Sequence, residues 1–509
     1  MDSTQRKNTI AISRLATCNP FSPTRFQIEK EILKGRCEPF DSIAWNRTRE
    51  NREVERPNVI ELTKIAEAIV EDVSTSKTLP DELHDDYWNV ATYYLLYRHI
   101  TNLPTDELRS KNKKHQKLVY DSWANFWLEY QRVFGVGGAY EVSKPAAAHL
   151  FACLTQIHRA FFIIFDHILG ESLPISRLRE QVWESIFTCS IRRYHDLLFD
   201  RMRDLSTLVT GPSGTGKELV ARAIGLSQYV PFDHEPCHFQ FESDGCFLPL
   251  NLSALSPTLI ESELFGHRKG AFTGAVTDRV GWLESCSKYG AVFLDEIGEL
   301  DLNLQVKLLR VLQERTYCRL GETAERTFAG KIIAATNRNL AEEIESGNFR
   351  EDFYFRICTD RIETPTLQEQ LRDHPEDLEW LVQSITRKHL GEPNEEIAND
   401  VVSWISENLG DTYPWHGNTR ELEQCVRSFI IRQEYQPLKI SRTVNSQTIP
   451  RWLLPMYNGE LTAEEVLQLY CTWMYSKLGS YEKTSQCLKL DRRTVKAKID
   501  ETLLAELNG

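Results

Sequence analysis

The 509-residue sequence holds twelve cysteines but no Cys-x-x-Cys pair and no Cys/His group at zinc-binding spacing. Free thiols in a reducing compartment are the simplest reading, with a redox-sensing cysteine as the alternative. No apolar run reaches the length of a bilayer span. The nearest, AFFIIFDHIL at 160–169, is short and carries Asp166 and His167. The opening MDSTQRKNTI has no apolar signal-peptide core, so a cytoplasmic location without membrane partners is expected. Positive charge is in deficit, 60 Lys and Arg against 73 Asp and Glu. A net charge of −13 argues against a chain that coats nucleic acid indiscriminately, but leaves room for a local basic patch. Long internal repeats and low-complexity tracts are also missing. What remains is a globular composition, 41% apolar and 26% charged, long enough for three or four domains.

The texture changes along the chain. Residues 1–165 read as a helical, aromatic-rich domain. YWNVATYYLLYRHI (87–100), VYDSWANFWLEYQRVF (119–134) and HLFACLTQIHRAFFIIF (149–165) all place apolar residues at helical spacing. Such a stripe is usually core, with a ligand pocket as the rival reading. From 166 to 365 short apolar runs end in glycine-rich or acidic loops and alternate with helices, as in an α/β parallel sheet. The runs are LSTLVTG, CFLPLNLS, GAVFLDEIG and GKIIAATN. Residues 366–435 read as helical, with DHPEDLEWLVQSI as a capped start. A Pro-, Ser- and Asn-bearing linker spans 436–460, and 461–509 is helical and locally basic.

GPSGTGKE, residues 211–218, follows one of these strands and precedes a helix, the context of a phosphate-binding loop. Gly211, Gly214 and Gly216 allow backbone N–H groups to turn inward. Pro212, Ser213 and Thr215 complete the loop, and Lys217 is placed for the β- and γ-phosphates of ATP. Glu218 stands where Ser or Thr usually helps hold Mg2+. AVFLDEIGEL (291–300) is an apolar strand ending in two carboxylates. Asp295 is suited to the Mg2+ shell and Glu296 to polarising the attacking water. IIAATN ends at Asn337, a polar group suited to sensing the γ-phosphate. Between these motifs lies Gly270, Ala271, Phe272, Thr273, Gly274 and Ala275. Its glycines suit a loop that rises and folds back. Phe272 at the tip offers a partner roughly 1.5–3 kcal/mol of apolar burial; the alternative is that Phe272 packs on its own domain.

SYEKTSQCLKLDRRTVKAKI (480–499) reads as helix, break, helix, with Asp491 as a cap for the second helix. Residues 479–499 carry six Lys or Arg against two Asp or Glu. Arg492, Arg493, Lys496 and Lys498 are the expected DNA-facing cations; a solvated charged hairpin is the alternative. Lys489 occupies the turn position where glycine is usual.

These motifs, with ESELFGHRKGAFTGA, AATNRNL, FREDFYFRI and WHGNTREL, occur in the order found in bacterial sigma-54-dependent transcriptional activators. The region from about 166 to 435 resembles the AAA+ domain of that family, and the C-terminal helices resemble its Fis-type helix-turn-helix. The family carries Glu at the position of Glu218. The resemblance implies an ATPase using Mg2+, working as a hexameric ring on the sigma-54 RNA polymerase holoenzyme from upstream double-stranded DNA. It implies that Asn251 pairs with the catalytic Glu296 as a switch and that Asn337 is the first sensor. Arg420 would be the second sensor, on a helical lid. Arg350 and Arg356 would be offered to the neighbouring subunit's nucleotide, and Gly270–Ala275 would touch sigma-54. The chain departs from the family pattern at His416 and Thr419, at PTLQEQ (365–370), and in apparent insertions near 180–205 and 227–247. The competing functions are a AAA+ remodeller of another protein target and a DNA-binding regulator without turnover.

Overall fold

Strand alternation explains the architecture before any helix is placed. In the computed structural model, five strands form one parallel sheet in the order β4-β5-β8-β1-β9. They are β1 (Thr207–Thr210), β4 (Phe247–Asn251), β5 (Ala291–Asp295), β8 (Lys331–Thr336) and β9 (Asp360–Glu363). Two short hairpins, β2 (Phe232–Asp233) with β3 (His238–Phe239) and β6 (Thr316–Tyr317) with β7 (Arg326–Thr327), complete the strands among the described residues. Four of the five sheet strands are the apolar runs expected from sequence. The fifth, β9, reads DRIE, and only Ile362 in it is buried. The structure describes residues 3–34, 57–101, 103, 113–136, 138–240, 246–438, 456, 461–501 and 503–504. Most of the expected 436–460 linker lies outside these described residues. They divide into two compact units, Met1–Tyr435 and Gln436–Gly509.

Successive residues of a strand face opposite sides, so each sheet face has its own core. Val209, Ala291, Phe293, Ile333, Ala335 and Ile362 face one side. Leu208, Leu250, Val292, Leu294, Ile332 and Ala334 face the other. The first face is covered by the N-terminal helices. These are α1 (Ser3–Thr17), α2 (Pro23–Leu33), α3 (Pro57–Ser76), α4 (His84–Leu95), α5 (Lys113–Phe134), α6 (Lys144–His167), α7 (Leu173–Phe187) and the single turn α8 (Ile191–Arg193). α9 (Lys217–Leu226) lies between the sheet and α6. Gly225 makes that closeness possible, because a Cβ there would sit 2.6 Å from the Phe247 ring.

The expected boundary near 165 falls at the end of α6, inside one continuous core that runs from Ile12 to Ile362. The aromatic stripe is that core: Tyr87, Phe126, Phe134 and Phe151 are fully buried. The segment 227–247 helps join the two layers. Its hairpin sets Phe232 against Trp123 and Phe151, with ring centroids 5.1 and 4.8 Å apart. Contrary to the expectation that no apolar stretch reaches bilayer length, one described helix, α6, is long and apolar enough to cross a membrane, because its small and weakly polar residues extend the apolar run; 78% of that stretch is buried inside the protein.

The second face carries α10 (Pro257–Phe265), α11 (Trp282–Ser285), α12 (Leu302–Glu314), α13 (Leu340–Glu345) and α14 (Glu351–Ile357). A separate small core forms in α15 (Leu367–Asp373), α16 (Asp377–Leu390), α17 (Glu395–Asn408) and α18 (Asn418–Arg432). Thr366 and Glu369 close a reciprocal capping box at α15. α16 lacks the side-chain cap expected at its start. Its first residue, Asp377, is instead buried and accepts bonds from the Glu171 and Ser172 N–H groups (2.6 and 3.2 Å). In the second unit, α19 (Ala463–Leu478), α20 (Tyr481–Leu488) and α21 (Arg492–Ala497) bury Cys471, Thr472, Thr484 and Val495.

Candidate active site

All the nucleotide motifs meet at the carboxyl ends of the parallel strands, where open α/β sheets bind ligands. β1 leads into Gly211–Gly216, and α9 begins at Lys217. The loop needs its glycines. Gly214 has φ +78°, and a Cβ there would lie 2.2 Å from the Gly417 carbonyl oxygen. Lys217 donates to the Gly211 and Pro212 carbonyls (2.9 and 3.0 Å). Burial lowers its pKa, opposed by the nearby carboxylates of Glu296 and Asp295. Glu218 pairs with Arg222 one turn along α9 (3.1 Å).

Asp295 closes β5, and burial followed by the adjacent Glu296 charge raises its pKa. A carboxyl held up in this way beside a second acidic side chain is suited to a divalent cation. Glu296 adopts a left-handed backbone, φ +58°, which turns it out of the strand direction. Its carboxylate accepts the Asn337 backbone N–H (3.3 Å). Asn337 thus reaches Glu296 through its main chain. Asn251 is the register partner of Asp295 across β4 and β5. Its side chain accepts from the Ser253 N–H and hydroxyl (3.0 and 2.7 Å), so the hydrogen bond seen on Glu296 comes from Asn337 and not from Asn251.

The N-terminus of α18 clamps the loop. Asn418 donates its amide to the Ser213 carbonyl (3.0 Å) and accepts from the Leu367 N–H (2.9 Å). Thr419 donates both its N–H (3.1 Å) and its hydroxyl to the Gly214 carbonyl. Arg420 reaches the Ser213 hydroxyl (2.9 Å). Sequence reading singled out Arg420 and treated Thr419 only as a departure; its hydroxyl makes a contact that an apolar side chain could not. Arg350 is the N-cap residue of α14 and Arg356 lies in its last turn, both exposed. Arg350 forks onto Asp352 (3.0 and 2.7 Å), and Arg356 donates to the Leu312 carbonyl.

The 270–275 loop stands on a braced stem. Arg268 and the Lys269 N–H both bind Asp278 (2.6 and 2.8 Å), and His267 bridges Arg279 and Leu320. The tip is closed by the Gly270 N–H donating to the Ala275 carbonyl (2.9 Å). Gly270 and Gly274 have φ of +84° and +106°. Phe272 is half-buried, its ring edge-on to His267 at 5.0 Å, while Thr273 and Gly274 are exposed. Buried His267 in turn bonds Ser262 of α10 (2.7 Å). Sequence reading placed Phe272 at the tip but missed the histidine beneath it.

In the second unit Asp491 caps α21 through the Arg493 and Thr494 N–H groups (2.8 and 3.0 Å). Lys489 takes the left-handed turn conformation, φ +55°, where glycine is usual. Arg492, Arg493 and Lys496 are exposed. Lys498, expected at the same face, is half-buried and ion-paired to Glu464 (2.6 Å), because the α19 carboxylate is within its reach.

A phosphate-binding loop, a paired-carboxylate strand end and a helical clamp on one parallel sheet define a nucleotide site of AAA+ type. Residues 193–363 match the family model of the Sigma-54 interaction domain. The chain is 43% identical over 242 residues to a Nif-specific regulatory protein of Azotobacter vinelandii, covering 47% of this chain and 42% of that one. It is 40% identical over 226 residues to the DNA-binding transcriptional regulator NtrC of Rhizobium meliloti (strain 1021), covering 44% and 42%. It is 40% identical over 296 residues to the sigma54-dependent transcriptional activator SfnR of Pseudomonas putida, covering 56% of this chain and 73% of that protein. The chain belongs to the sigma-54-dependent transcriptional activators. It spans about two fifths of the length of the first two relatives.

Proposed function

We propose that the chain is an ATP-driven transcription activator that remodels the sigma-54 RNA polymerase closed complex from an upstream DNA site. The observation that carries this reading is a connected path. Asp295 registers with Asn251 at the sheet end. Asn251 caps the short turn Leu252–Ala254, and the chain then enters α10, whose Ser262 holds His267 beneath Phe272. Events at the carboxylates are therefore mechanically close to the exposed loop.

In this reading residues 1–165 are regulatory, 166–365 and 366–435 are the ATPase core and its lid, 436–460 a linker, and 461–509 the DNA-binding module. The Gly211–Gly216 amides and Lys217 hold the phosphates of ATP, and Glu296 accepts the proton of the attacking water. The raised Asp295 carboxyl fits a Mg2+ ligand, and Mg2+ when bound would neutralise charge on the phosphates. Asn337 reports on the γ-phosphate through its main-chain bond to Glu296, and Arg420 carries that state to the lid. Arg350 and Arg356, exposed at the start and end of α14, are offered to the neighbouring subunit of a hexameric ring. Arg492, Arg493 and Lys496 supply the DNA face.

Phe272→Ala and Thr273→Ala test the assignment. Both should retain ATP turnover and lose open-complex formation at a sigma-54 promoter. Normal open complexes from either protein would refute the loop's role. A wild-type protein with no ATP turnover would favour a DNA-binding regulator without catalysis.

A further inference from the structure

Outside the nucleotide site, the described residues bring two histidines and a cysteine together at the junction of α6 with the segment that follows α7. His149 and Cys153 lie one turn apart on α6, and His195 stands in the π-turn at Tyr194–Leu198. Their ligand atoms all lie within 4.8 Å of one another, and the Cys153 sulfur is 3.8 Å from His149 Nε2. Tetrahedral zinc, with bonds of about 2.3 Å to sulfur and 2.0–2.1 Å to nitrogen, sets such atoms roughly 3.5 Å apart. Only a small closing movement separates the two arrangements.

We infer that His149, Cys153 and His195 form a binding site for a borderline-soft divalent metal ion of the zinc class. The surroundings are those of metal-ligating histidines, whose second nitrogen is fixed by a neighbouring oxygen. His195 Nδ1 lies 2.7 Å from the Asp196 carboxylate, while its Nε2 is buried without a hydrogen-bond partner. An imidazole donating through Nδ1 to Asp196 carries a free lone pair on Nε2. His149 Nε2 donates to the His195 carbonyl (2.9 Å) and Nδ1 accepts from the Tyr229 hydroxyl (2.8 Å), so ligation through Nε2 requires the ring proton to move to Nδ1, which then donates to the Tyr229 oxygen, and the bond to the carbonyl to be given up.

Burial is the largest influence on both histidines and lowers their pKa. Burial also raises the Cys153 thiol, so metal entry must release its proton as the metal–sulfur bond forms. A cavity of about 350 Å³ borders the cluster at His149, His195 and Asp196, while Cys153 lies behind its wall. Three protein ligands with an open fourth position suit exchangeable rather than permanently closed binding. Sequence spacing could not show the site, because His195 belongs to a different element from the His149/Cys153 pair.

Co2+ titration of the full-length, metal-stripped protein tests this site, with protein-bound metal counted by mass spectrometry. Wild type should take up one equivalent and develop a thiolate-to-cobalt charge-transfer band. Cys153→Ser should lose that band. Asp196→Asn, at a partly exposed residue outside the ligand set, should weaken Co2+ affinity roughly ten-fold or more. Absence of the band in wild type, or its persistence in folded Cys153→Ser, overturns the proposal. Where circular dichroism shows that Cys153→Ser has not folded, His195→Gln decides: wild-type Co2+ affinity in that protein also overturns it.

Discussion

The two faces of the central sheet are built from alternate residues of the same strands, yet they do different work. Val292 and Leu294 face the layer of α10, α12 and α14, which carries the 270–275 loop and the exposed arginines. Ala291 and Phe293 face α9 and the N-terminal helices, where aromatic packing dominates. The α10 side carries a few polar groups and an exposed loop near the strand ends. The α9 side is distinguished by how firmly two layers are joined. One face can thus lose its chemistry without loosening, and the other can loosen without any chemical group being touched.

The sharpest way to break this contrast is Glu296→Gln. ATP turnover should fall by roughly 10²–10⁴-fold with nucleotide still bound, because an amide cannot take the water's proton. Phosphate release and fluorescent-nucleotide binding read the two effects, and near-normal turnover would remove the chemistry from this end of the sheet. Next in size is Phe151→Ala on the opposite side. Phe151 is fully buried among Phe126, Phe232 and Phe239. Its truncation should cost about 3–5 kcal/mol in denaturant unfolding, with turnover per folded molecule little changed. A wild-type unfolding midpoint would show that the layers do not share a core.

The smallest effect is expected at Lys331. It is fully buried, donates to the Met202 and Leu205 carbonyls, and burial lowers its pKa to about 8 from 10.5. Below pH 8 the ammonium is charged in both folded and unfolded chains, and its burial cost is fully present. Between about pH 8 and 10.5 the unfolded chain binds more protons, so this group's contribution to stability rises with pH. Wild type should therefore gain on the order of 1–3 kcal/mol relative to Lys331→Met across that window. Parallel pH profiles for the two proteins would contradict it.

Legibility in the sequence follows the same division. The phosphate loop, the Asp295–Glu296 strand end and the Asp491 cap were readable, because each demands particular residue types over a short stretch. β9 was not, since DRIE carries one buried residue and no apolar run. The bond from Asn337 to Glu296 was hidden because a main-chain N–H leaves no signature in residue identity. Lys498 was misleading for the opposite reason: its charge was visible, but the partner that neutralises it, Glu464, lies on another helix. The hairpin in 227–247 registered only as extra length, although Phe232 and Phe239 in it seal the N-terminal layer to the sheet.

α9 also has a mechanical meaning. It is a ten-residue rod, about 15 Å long. Lys217 is at one end, and at the other Gln156 of α6 grips the Ser227 carbonyl just beyond Leu226 (2.8 Å). A hydrogen-bonded helix of this length tilts more readily than it bends. A displacement of its α6 end would therefore reappear as an angular change at Lys217. On the proposed reading, a signal in the N-terminal helices would not have to reach the nucleotide, only to move the far end of this arm.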